Sequence, residues 1–392
     1  MQDKKIQKLI EREAKRQQEV INLIPSENYV SKDVQAVLGS VLNNKYAEGY
    51  SGARYYGGNE IVDEIENLAI ERALETFKLN EKQWHVNVQA LSGSPANLAV
   101  YFGLLKHNGK IMGMDLSHGG HLTHGHKVSI TGKFFKQIPY GVDKETERLD
   151  YDVLLKTAMK ELPDIIVAGY TAYPRKIDFK KFREIADACG AILMVDMSHV
   201  AGLVAAGLYS NPFKYADVVT STTHKTLRGP RSGLIFSRID DRKIPEKIDK
   251  AIFPGLQGGP HIDQIGAVAV ALKEAQTSAF KKYAKQIMLN AKAMSDELKK
   301  RGWRIVSGGT DSHLLLVDTW MDGKGITGKE AEERLEKVGI IVNKNTIPFD
   351  ERGPFDPSGI RIGSPAETTR GKVEKDFVKI AERIDVALKA EK

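Results

Sequence analysis

The chain has 392 residues, with 58 Lys and Arg against 51 Asp and Glu and a formal net charge of +7. Acids and bases alternate along it, so the mild basicity fits an anionic small-molecule ligand as well as it fits nucleic acid. Its longest apolar run, Ile265 to Leu272, falls far short of the roughly 20 residues that span a bilayer, and the single cysteine, Cys189, excludes an intrachain disulfide or a cysteine-built metal cluster. No apolar stretch of signal length follows the charged start, so the cytoplasm is the expected location.

Residues 1–22 read as a helical arm. Lys4 to Arg16 is the one locally basic segment, and Ile6, Leu9, Ile10 and Val20 recur at near-helical spacing, which suits an arm packing on a neighbouring surface. From about residue 60 helix and strand alternate. Ile61, Ile65, Leu68, Ala69 and Phe77 mark a helical face; Ser92 to Asn97 leads into the run Leu98 to Leu105, with Pro95 suited to a first turn. A helix from Tyr151 to Leu162 feeds the strand Ile165 to Ala168, and a second, with Phe179, Phe182 and Ile185 inward, stops at Gly190 before the strand Ala191 to Val195. Strands apolar throughout predict a mainly parallel sheet covered on both faces, with ligands at strand carboxyl ends. After the Gly/Pro-rich stretch Phe253 to Pro260, one long helical pattern runs from Asp263 to Arg301 and joins two domains. Beyond it come the strand His313 to Val317, the helix Gly328 to Val338, the strand Ile340 to Asn343, a Pro/Gly-rich loop from Asp350 to Ser358, a strand through Arg361 and a last amphipathic helix with Phe377, Ile380, Ile384 and Leu388. The expected fold is α/β, a large sheet domain over 23–275 and a smaller α+β domain over 276–392.

Two strand ends carry the chemistry. Asp196 closes one apolar strand, and Lys225 follows another in the turn Thr222-Thr223-His224-Lys225. A carboxylate for a pyridinium nitrogen and an amine for an aldehyde carbon suggest a pyridoxal phosphate site, although solvated loop cations are the commoner fate of such lysines. Ser92, Gly93 and Ser94 at a helix start offer free N–H groups and hydroxyls to a phosphate, or an ordinary cap; Gly258, Gly259 and the cluster Ser221 to Thr223 could complete a phosphate cup. His118, His121, His124 and His126 raise the question of a metal, but the flanking glycines favour close backbone approach and His121 stacking on a flat ring. Glu48 could transfer protons beside the hydroxyls of Tyr46 and Tyr56. Arg361, flanked by isoleucines, would need a carboxylate partner if buried, and a substrate carboxylate is the natural candidate.

The strings Leu23 to Tyr29, Asn44 to Tyr50, Arg54 to Gly58, Ser92 to Ser94, His118 to Gly125, Val195 to His199, Thr223 to Arg231, Phe253 to Pro260 and Ser358 to Gly363 resemble, in order and over nearly the whole length, the serine hydroxymethyltransferase family. The resemblance implies a fold type I, aspartate aminotransferase-like transferase of one-carbon metabolism and amino-acid biosynthesis. It would use pyridoxal 5'-phosphate, with tetrahydrofolate as co-substrate, to interconvert serine and glycine. Carried onto these positions, it implies that Lys225 holds the cofactor as a Schiff base, Asp196 meets its ring nitrogen, and His121 stacks on the ring. His224 tunes the reaction from beside the lysine. Ser92, Gly93, Ser94, Thr222, Gly258 and a partner subunit's copy of Gly259 surround the phosphate, while Thr171 and His199 lie near the phenolic oxygen. Ser26 and Arg361 take the amino-acid carboxylate, with Tyr56, Glu48 and Tyr46 reaching in from the neighbouring chain. Leu116, Gly120, His121, Leu122 and Asn345 line the folate site, with Gly353, Pro354 and Phe355 over its tail. A homodimer with shared sites follows, a tetramer being possible, with no metal, nucleic acid or membrane partner. Thr171 and Ser198 depart from the family's usual serine and alanine. The competing readings are a threonine or β-hydroxy-amino-acid aldolase on the same fold, which needs no folate, and a nucleic-acid binder using the basic arm.

Overall fold

The computed structural model describes residues 1–390. Its main sheet has seven strands: β1 (Trp84–Asn87), β2 (Lys110–Met114), β3 (Lys136–Tyr140), β4 (Ile165–Gly169), β5 (Ile192–Asp196), β6 (Val218–Thr222) and β7 (Gly233–Arg238), in the order β1-β7-β6-β5-β4-β2-β3. The pairings from β3 through β6 are parallel, and β7 runs antiparallel to both neighbours. Burial on both faces explains the continuous apolar runs. Ile166 and Ala168 face one core with Leu193, Val195 and Val219, while Ile165 and Val167 face the other with Met194 and Val218.

The helices that cover the sheet start and stop on local signals. Asp150 and Asp178 accept backbone N–H bonds at the starts of Tyr151–Glu161 and Phe179–Cys189. Gly190, at φ 72°, ends the second of these, a left-handed position that suits glycine. Gly93–Leu104 begins five residues earlier than its apolar run suggests, because Gly, Ser and Pro fill a first turn that hydropathy does not mark.

The expected single helix from Asp263 to Arg301 is two, Ile262–Ala275 and Ser278–Lys300. Thr277 breaks it by accepting the Phe280 N–H as a cap, which leaves the apolar period on either side intact. Ser278–Lys300 still connects the two cores, with Phe280 and Ile287 in the first and Met294 and Leu298 in the second. The second core lies on an antiparallel sheet of β8 (Arg304–Ile305), β9 (Leu314–Asp318), β10 (Asn343–Asn345) and β11 (Gly359–Gly363), in the order β8-β9-β11-β10. The expected strand Ile340 to Asn343 is divided: Ile340–Ile341 pairs in parallel with Ile21–Asn22, and Asn343 starts β10. Leu23 therefore packs in the second core, beside Ile340 and Ile362.

The arm helix Lys4–Glu19 buries no residue, and Ile6, Leu9 and Ile10 remain about half exposed. Its end is held where Arg370 donates to the carbonyls of Gln17 and Val20. Among the described residues, no helix is long and apolar enough to cross a membrane.

Candidate active site

Register brings the two strand ends together. Asp196 pairs with Thr220 across β5 and β6, so the turn that follows Thr222 lies beside the carboxylate. That turn is fixed by its backbone: Gly229 N–H donates to Thr223 O at 2.7 Å, and Asn28 Nδ2 donates to Lys225 O at 2.9 Å. Thr226 hydroxyl donates to His199 O at 2.9 Å while accepting Gly202 N–H at 3.0 Å. The amine of Lys225 is pushed down to about 8, by burial first and by the Arg361 and Arg231 charges, with Asp196 opposing. It holds far more neutral, nucleophilic amine near pH 7 than a free lysine does.

Asp196 is prepared in the opposite sense. Burial alone would raise its carboxyl. Three donors outweigh that and hold it well below the ordinary range: His124 Nε2 at 3.1 Å, the Ser198 N–H at 3.0 Å and Asn97 Nδ2 at 2.9 Å. Asn97 is itself oriented by Thr220, whose hydroxyl donates to its Oδ1 at 2.7 Å. The result is a permanent anion at the foot of a polar cavity.

The third wall is the start of Gly93–Leu104. Ser92 stands at the cap position but makes no side-chain cap bond, so the first-turn N–H groups are left for another acceptor. A Cβ on Gly93 would come within 2.7 Å of Thr222 Cγ2, so glycine lets this turn close on β6. Together these walls bound a cavity of about 300 Å³. Of the expected residues, Ser26, Ser92, Gly93, Ser94, Thr222 and Lys225 line it, as do His121, Thr171, Asp196, His199 and His224. His121 and His224 are both neutral, pushed down to about 4 and about 3 by burial first.

The four clustered histidines do separate work. His124 bonds Asp196, and His121 bonds Thr123 at 2.8 Å. His118 Nδ1 accepts the Val142 N–H at 3.0 Å with its ring against Phe349, and His126 Nδ1 accepts the Val128 N–H. Among the described residues, no group of three or more His, Cys, Asp and Glu is placed to hold a metal ion.

Arg361 is 8% exposed, its Nε donating to Asn343 Oδ1 at 3.0 Å and its Nη1 to Thr171 O at 2.8 Å. Among the described residues no carboxylate pairs with it, and its charge reaches Lys225, His121 and His199 at the cavity. A buried guanidinium satisfied by neutral acceptors alone retains its attraction for an entering carboxylate.

The remaining expected residues lie outside this cavity. Tyr46, Glu48 and Tyr56 form a separate cluster, with Tyr46 hydroxyl donating to Glu48 at 3.2 Å and packing edge-on to Tyr56. Gly258 and Gly259 lie against Glu48 and the Tyr46 ring, so they belong to that cluster. Tyr46 and Tyr56 are 57% and 51% exposed, an unusual state for two aromatics packed on one another. Gly120 is buried where a Cβ would strike the carbonyls of Met114 and Asp115, while Leu116 and Asn345 are half-buried and Leu122 is exposed. Gly353, Pro354 and Phe355 are exposed in a turn, and Phe355 lines a different groove, beside Thr327 and Lys337.

The donor set fits pyridoxal phosphate: an amine of lowered basicity, an anion for a ring nitrogen, an uncapped helix start for a phosphate, and a buried cation without a carboxylate. A family model described as serine hydroxymethyltransferase matches residues 1–384. The chain belongs to that family. Serine hydroxymethyltransferases are pyridoxal phosphate-dependent transferases of one-carbon metabolism. They interconvert serine and glycine with tetrahydrofolate as co-substrate, and an aldolase without folate is not favoured.

Three residues that shape this site carry no sign of it in the sequence: Asn97 and His124, which bond Asp196, and Arg231, whose charge bears on Lys225. Asn97 sits one helical turn into Gly93–Leu104 and His124 in a loop, so neither shows its aim at Asp196 in the sequence. Ser198, noticed only as a departure from alanine, accepts the buried Thr222 N–H at 3.0 Å.

Proposed function

We propose that Lys225 is the residue that binds the cofactor aldehyde, with Asp196 accepting the ring N–H and Gly93, Ser94 and Thr222 holding the phosphate. The observation that carries this reading is the convergence of Lys225, Asp196 and an uncapped helix start on one cavity. When bound, pyridoxal phosphate supplies an electron sink for the pair released at the amino acid's α-carbon. The protein's own groups do the rest. Asp196, held anionic, keeps the ring nitrogen protonated, and neutral His121 is the ring's aromatic neighbour. Arg361 and Ser26 orient the substrate carboxylate, and Thr171 and His199 meet the phenolic oxygen. His224, kept neutral beside Lys225, avoids adding charge next to the amine.

Glu48, Tyr46 and Tyr56 would complete the site of a second copy of the chain, with Gly258 and Gly259 near its phosphate. The exposure of Tyr46 and Tyr56, in a cluster with Glu48 separate from their own cavity, supports that reading, as does the uncovered apolar face of the Lys4–Glu19 arm. The working unit is then a homodimer, with Glu48 moving a proton at the hydroxymethyl group. Leu116, Gly120, Leu122 and Asn345 would contact folate. Half-buried Cys189, a free thiol bonded to the Ala186 carbonyl of its own helix, suits a reducing compartment, and we place the enzyme in the cytoplasm.

The test is spectroscopic and kinetic. Holoenzyme should absorb in the visible, and Lys225→Arg should abolish turnover while the fold persists. Serine cleavage should be strongly stimulated by tetrahydrofolate; equal cleavage of allo-threonine and serine without folate would return the assignment to an aldolase.

A further inference from the structure

Behind His199 lies a second histidine that none of these roles uses. His313 precedes β9 and is fully buried. The two imidazoles lie nearly parallel, 26° apart with centroids 5.3 Å from one another, and His199 Nδ1 is 3.1 Å from His313 Nε2. One of those two nitrogens must carry the proton they share.

The surroundings decide which. Both rings are buried within reach of the Lys225 and Arg361 charges. His313 is pushed down to about 3 and His199 well below its ordinary value, by burial first in each case, so neither becomes a cation at neutral pH. Each ring then has one N–H. His313 Nδ1 is buried and, among the described residues, has no hydrogen-bond partner. A proton there would be a stranded donor, the rarer and costlier defect; a bare lone pair is tolerated more readily. The His313 proton therefore belongs on Nε2, from which it donates to His199 Nδ1. With Nδ1 occupied as an acceptor, His199 must carry its own proton on Nε2. Among the described residues nothing bonds that nitrogen, and His199 lines the cavity.

We infer that His313 is a positioning residue: by donating to His199 it fixes both the ring's orientation and its tautomer, and makes His199 an N–H donor into the cavity. The pair works as a relay of directionality in which no proton needs to move. The consequence for catalysis rests on the pyridoxal phosphate reading, in which the His199 N–H meets an anionic phenolic oxygen. The tautomer itself is a property of the cofactor-free protein.

That separation provides the test. NMR of the cofactor-free protein with isotope-labelled histidine, assigned by the signal lost in His199→Gln, should show both rings protonated at Nε2, with coupling between the nitrogens across the shared hydrogen bond. A His199 protonated at Nδ1 would overturn the inference without any substitution at position 313. In the holoenzyme, His313→Leu should weaken cofactor binding by about tenfold, as loss of an aligned bond to a charged group implies. His313→Gln, which returns an amide N–H to a similar place, should recover most of it. Equal affinities in these two variants would reduce His313 to packing and sink the proposal. A wild-type chain that takes up no pyridoxal phosphate would instead refute the cofactor reading, and the tautomer result would stand.

Discussion

Single residues in this cavity are set against one another by burial. Lys225 and Asp196 are both removed from water, yet one loses its charge more easily than a free lysine and the other keeps its charge more firmly than a free aspartate. The difference lies in their partners: Asp196 has three donors, whereas among the described residues no hydrogen bond to the Lys225 amine offsets its burial. The rate at which cofactor-free protein captures pyridoxal phosphate should therefore rise with pH through about 8 and then level off, in stopped-flow absorbance. The same shift has a stability sign. The folded pKa lies below the unfolded value of about 10.4, so the unfolded chain binds more protons between the two, and this group makes the cofactor-free protein more stable as pH rises across that window. Arg361 gives a second prediction. Arg361→Ala should raise the KM for serine roughly 10- to 150-fold, the equivalent of about 1.5–3 kcal/mol for a charge-assisted contact, and leave the cofactor spectrum unchanged. Loss of the spectrum instead would assign Arg361 to the cofactor.

At the scale of elements, the site is a meeting of strand ends and one helix start. The helix Gly93–Leu104 points its uncapped amides where β6 ends, and the absence of a Cβ at Gly93 permits the approach. Gly93→Ala should cost about 1–3 kcal/mol of overpacking against Thr222 and weaken binding of both cofactor and inorganic phosphate, read by titration calorimetry. Adding Thr222→Ser, which removes the obstructing methyl, should restore part of the phosphate affinity. A double variant no better than Gly93→Ala would show that the clash lies elsewhere. The strands β4, β5 and β6 and the stop at Gly190 were legible because each is written in adjacent residues, whereas the caps at Asp150 and Asp178 emerged only with the folded chain. The break at Thr277 was not, since a threonine that caps and one on a helix surface look alike in a periodic pattern.

At the scale of the whole molecule, one chain contains every expected group but does not collect them in one place. Lys225 lines the cavity, while exposed Tyr46 and Tyr56 and half-buried Glu48 cluster elsewhere. In a symmetric dimer with shared sites, inactive Lys225→Arg and inactive Glu48→Gln chains should complement one another after mixing and reassociation. Random exchange would rebuild about one intact site in four. No recovery despite exchange, verified by native mass spectrometry, would place Glu48 in the service of its own chain. Sedimentation of the wild type should also show a dimer at micromolar concentration. Deleting the arm helix should loosen it, because Ile6, Leu9 and Ile10 stay about half exposed on the single chain.

The sequence by itself determined the strands β4 to β6 with the helices that precede β4 and β5, the two strand ends and the family resemblance, because apolar period, glycine stops and the residues flanking Asp196 and Lys225 are local. It also exposed Arg361 as an oddity between isoleucines. Only the tertiary structure decided what surrounds those groups. His124 and Asn97 reach Asp196 from a loop and a helix far from it in the chain, and His313 meets His199 across 114 positions. Such partners are chosen by packing of the sheet against its covering elements and leave no spacing to read. The same reason separates Phe355 from the cavity: its place depends on how the turn after Asp350 settles beside the helix Gly328–Lys337, a matter of long-range contact that no motif records.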